Sequence, residues 1–105
     1  MSSIFTKIIN REIPSDIVFE NETIIVIKDI NPEAKTHLLI IPKKEIETIN
    51  DLEPEDTQLI ADMFFVAKKV ANDLWISEWY KLHFNVWKKW WQEVMHIHLH
   101  LLSNI

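Results

Sequence analysis

The stretch Met95-His96-Ile97-His98-Leu99-His100-Leu101-Leu102 alternates imidazole and aliphatic side chains near the end of a chain of 105 residues. Successive side chains of a strand point to opposite faces, so His96, His98 and His100 share one face while Ile97, Leu99 and Leu101 share the other. Three rings then stand at steps of about 6.5–7 Å over an apolar layer. A strand that needs only a polar outer face has little reason to use histidine three times. Imidazoles titrate near neutral pH, so one can attack phosphorus while a neighbour supplies or removes a proton. The pattern points to nucleophilic phosphoryl or nucleotidyl transfer without a metal. Zinc ligation by the same three rings is its chemical rival.

Working back from this strand, residues 80–86 also alternate, and the loop Trp87-Lys88-Lys89-Trp90-Trp91-Gln92 separates the two. Before them, Ile60, Phe64, Ala67, Ala71 and Leu74 recur every three to four residues, with Met63 and Val70 widening the stripe. Pro54 among acidic residues supplies a start, so the spacing predicts a long helix over 54–74. The run Leu38-Leu39-Ile40-Ile41 predicts a strand over 37–42 buried on both faces. Segments 17–20 and 23–28, rich in β-branched residues and parted by Asn21-Glu22, form a hairpin. Ile4, Phe5, Ile8 and Ile9 lie at helical spacing, predicting a short amphipathic helix over 3–10 closed by Pro14. The order α, β-hairpin, β, α, β, β is that of an α+β domain with a largely antiparallel sheet.

Composition narrows the function. The length suits one domain, 1–105, around one core. With 11 Lys and Arg against 16 Asp and Glu the net charge is -5, so no broad basic surface is available for nucleic acid. Cysteine is absent, which excludes disulfides and thiolate metal sites and fits a reducing compartment. No apolar run approaches the roughly 20 residues of a membrane span. The expectation is a soluble, cytoplasmic protein without membrane or nucleic-acid partners. Glycine is also absent, where about 7% is usual, while all five Trp fall within 75–91.

The run His-Ile-His-Leu-His-Leu-Leu resembles the motif of the histidine-triad (HIT) superfamily, in which three histidines alternate with apolar residues. Further matches are Ser3-Ile4-Phe5-Thr6-Lys7-Ile8-Ile9 with Glu12-Ile13-Pro14, Asp29-Ile30-Asn31-Pro32, Thr36-His37-Leu38-Leu39-Ile40-Ile41-Pro42-Lys43-Lys44, and Gln92-Glu93-Val94. In order and spacing the chain is similar to the Hint branch over about residues 3–102. The resemblance implies a five-stranded, largely antiparallel sheet with one short and one long helix, dimerising into a continuous sheet through strand 80–86. It implies a purine nucleotide hydrolase, a nucleoside phosphoramidase or nucleotidyl hydrolase, working through a covalent nucleotidyl-histidine without cofactor or metal. Two other readings stay open: a nucleotide-binding module with little turnover, and a dinucleoside polyphosphate hydrolase.

Residue by residue, the resemblance makes His98 the nucleophile, His96 its orienting neighbour, His100 the group against the phosphate or leaving group, and His37 an accessory histidine behind the nucleophile. Asp29 would bind the ribose hydroxyls, although alone it reads equally as a turn residue. Ile4, Phe5, Ile8, Ile27 and Ile30 would form an apolar slot for the base. Asn85, Gln92 and the backbone N–H of Val94 would face the α-phosphate. His83 matches no site of the family and reads as structural. Position 6, often a cysteine metal ligand in relatives, is Thr6. Relatives typically carry glycine where this chain has Trp75, Trp79, Trp87, Trp90 and Trp91. Glycine there accepts left-handed backbone and close approach to phosphate, so several of these tryptophans are expected at positive φ, crowding the phosphate loop.

Overall fold

Ser3 opens the first helix, α1 (Ile4–Ile9), by accepting a 3.0 Å hydrogen bond from the Thr6 N–H, a common N-cap device. The helix ends before Pro14 is reached, where Arg11 turns left-handed at φ 63°. The hairpin follows as β1 (Ile17–Glu20) and β2 (Ile24–Lys28). Asn21 closes it, its side-chain oxygen accepting from the N–H groups of Thr23 (2.9 Å) and Ile24 (2.8 Å). This computed structural model describes residues 2–105.

The remaining elements are β3 (Thr36–Pro42), α2 (Thr57–Asp73), β4 (Lys81–His83) and β5 (Leu99–Ser103). The five strands pair antiparallel in the order β1-β2-β3-β5-β4, so the sheet, with its one short and one long helix, is the one expected. α2 begins three residues later than the spacing predicts, because Pro54–Asp56 forms a 3-10 turn in which Asp56 accepts from the Glu53 N–H.

Alternation along β2 and β3 splits the core. Ile24, Val26, Leu38 and Ile40 join Ile97, Leu99 and Leu101 against Met63, Ala67 and Val70 of α2. Ile25, Ile27, Leu39 and Ile41 face the other way, against Phe5 and Ile8 of α1. The histidines lie on this α1 side. β3 is buried along nearly its whole length, as its apolar run requires.

Two strand ranges need correction. Residues 80–86 supply only the three of β4, since pairing with β5 runs from Lys81 to His83 and the chain leaves the ladder before turning at Trp87, φ 76°. Residues 95–98 approach β5 outside the ladder, so His96 and His98 precede the regular strand. Among the described residues no helix is long and apolar enough to cross a membrane.

Candidate active site

With no ladder to hold it, His96 is pinned by its ring. It is fully buried, with Nε2 2.7 Å from the Pro42 carbonyl oxygen and Nδ1 2.7 Å from Ser3 Oγ. A carbonyl only accepts, so Nε2 carries the proton and Nδ1 accepts from the Ser3 hydroxyl. Glu45 steadies the arm bearing Ser3, accepting from the Ser3 N–H at 2.6 Å and the Thr6 hydroxyl at 3.0 Å. These two donors hold the Glu45 carboxyl below its ordinary range.

The same reasoning fixes the other rings. His98 Nδ1 lies 2.8 Å from the main-chain oxygen of His96 and must donate, which leaves the His98 Nε2 lone pair free. His37 Nδ1 accepts from the Glu33 N–H at 3.1 Å, so its proton sits on Nε2. That proton is directed to His100 Nδ1 at 2.9 Å, with Asp29 Oδ2 3.4 Å from the same nitrogen. His100 therefore carries its own proton on Nε2, a buried atom without a hydrogen-bond partner among the described residues. An orphaned buried donor is costly and marks where an acceptor would be welcome.

Burial keeps His96, His98 and His100 neutral. It pushes His96 and His98 below the ordinary histidine range. His100 falls to about 3, through burial first and then the neighbouring His98, His83 and His37. Phe5 meets His96 and His98 edge-on, with centroids at 5.8 and 5.0 Å, closing the apolar side of the group. The cluster thus presents one unprotonated nitrogen, His98 Nε2, and one unpaired N–H, His100 Nε2, on rings whose centroids are 4.9 Å apart.

Other residues singled out in the sequence are distributed unevenly. Phe5, Ile8 and Ile27 pack together beside the histidines, whereas Ile4 is half exposed and Ile30 is 87% exposed, outside that cluster. Asp29 acts as a turn residue, its Oδ1 accepting from the Asn31 N–H at 2.9 Å, while its Oδ2 faces His37. Val94 packs against the Phe5 cluster. Asn85 reaches toward the Trp91 carbonyl.

Gln92 has a different task from the one expected. Its amide oxygen accepts from the Trp87 N–H at 2.8 Å, and its Nε2 donates to the carbonyls of Glu47 (2.6 Å) and Val94 (3.1 Å). A buried amide so engaged has no donor left for a phosphate, and it acts instead as a staple across the loop. Three of the five tryptophans take the positive φ expected of them: Trp75 (63°), Trp87 (76°) and Trp91 (65°).

Among the described residues, Asp29, His37 and His100 form a group whose donor atoms lie close enough together to invite a cation. Nevertheless, a metal on His37 Nε2 would move that ring's proton to Nδ1, which faces the Glu33 N–H. Two donors would then oppose each other. The three residues fit a hydrogen-bonded chain better than a ligand set.

His83, read from the sequence as structural, joins the histidine cluster. It lies opposite His100 in the β4–β5 ladder, and the two rings stack at 4.6 Å with an interplanar angle of 1°. Its place among the strand residues of 80–86 was legible, but its partner depends on the pairing register of two strands separated by a long loop.

Comparison with known proteins agrees with this geometry. The family profile described as "Scavenger mRNA decapping enzyme C-term binding" matches residues 2–105. The chain is 48% identical over 102 residues to the purine nucleoside phosphoramidase of Escherichia coli K12, covering 96% of this chain and 86% of that one. A HIT-like protein of Synechocystis is 43% identical over 101 residues, covering 96% and 89%. Among solved structures, a HIT family hydrolase from Legionella pneumophila superposes with a TM-score of 0.96 at 50% identity, covering 99% of this chain and 94% of that one. One from Clostridium thermocellum gives 0.95 at 44%, covering 99% and 91%. Sequence, fold and histidine cluster together place the chain in the histidine-triad superfamily.

Proposed function

We propose that this protein is a purine nucleotide hydrolase acting on nucleoside phosphoramidates, with His98 as the attacking group. The observation that carries the reading is the bond from His98 Nδ1 to the His96 carbonyl, which fixes the tautomer with Nε2 unprotonated. The kinship to a purine nucleoside phosphoramidase supports the substrate class.

In the first half-reaction the His98 Nε2 lone pair forms a bond to the α-phosphorus and the P–N bond to the amine breaks. The departing nitrogen takes up one proton from solvent, which the attacking water of the second half-reaction returns. Positive charge appearing on the His98 ring is met by the His96 carbonyl at Nδ1. In the second half-reaction water attacks the same phosphorus, gives up one proton, and returns His98 as a neutral base. The unpaired His100 Nε2–H donates to a phosphoryl oxygen throughout, and His37, bonded to His100 Nδ1, keeps it in the donating tautomer. Phe5, Ile8 and Ile27 offer the apolar wall for a purine, extended at its rim by Ile4 and Ile30, and Asp29 offers an acceptor for ribose hydroxyls. Asn85 and the Val94 main chain border the phosphate side, with Gln92 holding their loop in shape. No metal or cofactor takes part.

We place this activity in one domain spanning the chain and in the cytoplasm, and propose that it operates in a homodimer. β4 is an edge strand of three residues, and Phe64 and Phe65 leave α2 exposed at 43% and 66%. Pairing two β4 edges across a two-fold axis would cover both features. Light scattering that finds only monomer at micromolar concentration would remove the dimer from the proposal.

Rapid quenching with an α-phosphate-labelled adenosine phosphoramidate tests the enzyme directly. A burst of label on the protein, acid-labile and mapping to His98, is expected. Nucleotide binding without a burst would make this a binding module, and a dinucleoside polyphosphate turned over faster than the phosphoramidate would move it to another branch of substrates.

A further inference from the structure

Of the five histidines, His83 alone has no part in the reaction above. Three imidazoles surround His100, yet two meet it at a tilt, His37 at 42° and His98 at 52°. His83 lies parallel to it, face to face, from the directly paired position on β4. The difference matters mechanically. The His37 bond restrains the His100 ring at Nδ1, which still leaves small tilts of the ring plane at little cost. A flat contact across the face restricts that tilt.

The charges around the stack favour it. His83 is itself held below the ordinary histidine range, first by burial and then by Lys81 on its own strand, with Glu33 and His37 facing it from neighbouring segments. Two neutral rings can lie together at 4.6 Å where two imidazolium ions would repel.

We propose that His83 is a positioning residue for this reaction: its ring, laid flat on His100 across the β4–β5 ladder, holds the His100 Nε2–H in the plane from which it meets the phosphoryl group. The proposal rests on the reading that His100 serves the phosphate.

Two substitutions separate the stack from the hydrogen-bonding capacity of His83. H83F keeps a flat ring, so its kcat is expected within roughly twofold of the parent; H83A removes the ring, and kcat should fall about tenfold with KM changed less than about twofold, the size expected from losing one aromatic pair. Nitrogen-15 spectra of the imidazoles supply a readout independent of turnover. The His100 ring nitrogens should give sharp resonances in the parent and H83F and exchange-broadened ones in H83A, where the ring plane is no longer held, while the Nε2-protonated tautomer set by the His37 bond persists in all three. H83L replaces H83A if the alanine variant does not fold.

Parental kcat in the ringless variant overturns the proposal, as do His100 ring resonances there as sharp as the parent's. Equal impairment of H83F and H83A also overturns it, since the ring's polar atoms would then be what matters. If the parent shows no phosphoramidate turnover, the functional reading fails while the line-width comparison still decides whether His83 positions His100.

Discussion

His98 Nδ1 donates a 2.8 Å hydrogen bond to the main-chain oxygen of His96, two residues before it. This bond ties the nucleophile to backbone that is anchored in turn by the His96 ring, on Pro42 at one end and Ser3 at the other. Replacing His98 by Ala removes the attacking nitrogen and little that grips the nucleotide. Turnover should fall below about one per cent of the parent while nucleotide affinity stays within roughly twofold, because the lost interaction belongs to the transition state. Single-turnover kinetics and calorimetric titration measure the two quantities. Retention of more than a few per cent of the activity would show that another group attacks.

Ser3→Ala should act at a distance from the chemistry. Ser3 caps α1 and its hydroxyl fills the acceptor at His96 Nδ1. Loss of the cap costs about 1 kcal/mol, and an unsatisfied nitrogen on a fully buried ring adds about 1–3 kcal/mol. Thr6→Ala, which removes only the hydroxyl on Glu45, should cost less. Urea denaturation of both variants checks the order, and a Ser3→Ala no weaker than Thr6→Ala would deny the His96 anchor its role.

Stability should fall with acid earlier than carboxylate titration allows. His96, His98 and His100 are held below the ordinary value of 6.5, His100 at about 3, chiefly by burial. The unfolded chain therefore binds these protons first. Their contribution to stability is complete above pH 6.5 and is lost as pH falls from there through each native value. Glu20, Glu45 and Asp56 are also lowered, but from ordinary values of 4.5, 4.5 and 3.8, so they act only in stronger acid. Between pH 6.5 and 5 the loss belongs to histidine, with a limiting slope of about 1.4 kcal/mol per pH unit for each ring. Urea midpoints that stay level from pH 7.5 to 5 would contradict neutral burial of the cluster.

Local period carried much of this structure. Alternation at 96–101 put histidine and aliphatic side chains on the correct faces, and the 3.6-residue stripe located α2, because both depend on neighbours along the chain. What depends on distant pairing was hidden. Nothing around Gln92 announces that its amide will be consumed by Trp87, Glu47 and Val94. His96 looked like a strand residue, yet its position depends on a serine 93 positions earlier. The early end of β4 likewise follows from where its pairing with β5 stops, at His83 opposite His100, rather than from the alternation of 80–86.

The tryptophans give the last prediction, which divides by backbone angle. Trp75 follows α2 in a Schellman arrangement: its N–H donates to Asn72 O at 3.1 Å and that of Ile76 to Ala71 O at 3.0 Å, with Ile76 buried. That arrangement places position 75 at φ 63°, where a side chain costs roughly 1–2 kcal/mol. Trp91 is left-handed at φ 65°, ψ 23°, and Trp87 lies at φ 76°, ψ 156°, close to a region almost reserved for glycine and costing of order 1–3 kcal/mol. Burial returns little, since the indoles at 75, 87 and 91 are 88%, 51% and 67% exposed. Glycine at 75 or 91 should stabilise the fold by about 1 kcal/mol after its own entropic cost, and at 87 by at least as much. Trp79 and Trp90 keep ordinary backbone, so Gly there should be neutral or destabilising by up to about 1 kcal/mol. Urea denaturation of the five single variants reads the sign at each position. A uniform loss of stability would mean that the indoles, despite their exposure, hold the loop, whereas gains confined to 75, 87 and 91 would identify backbone strain as the cost of the aromatic side chains.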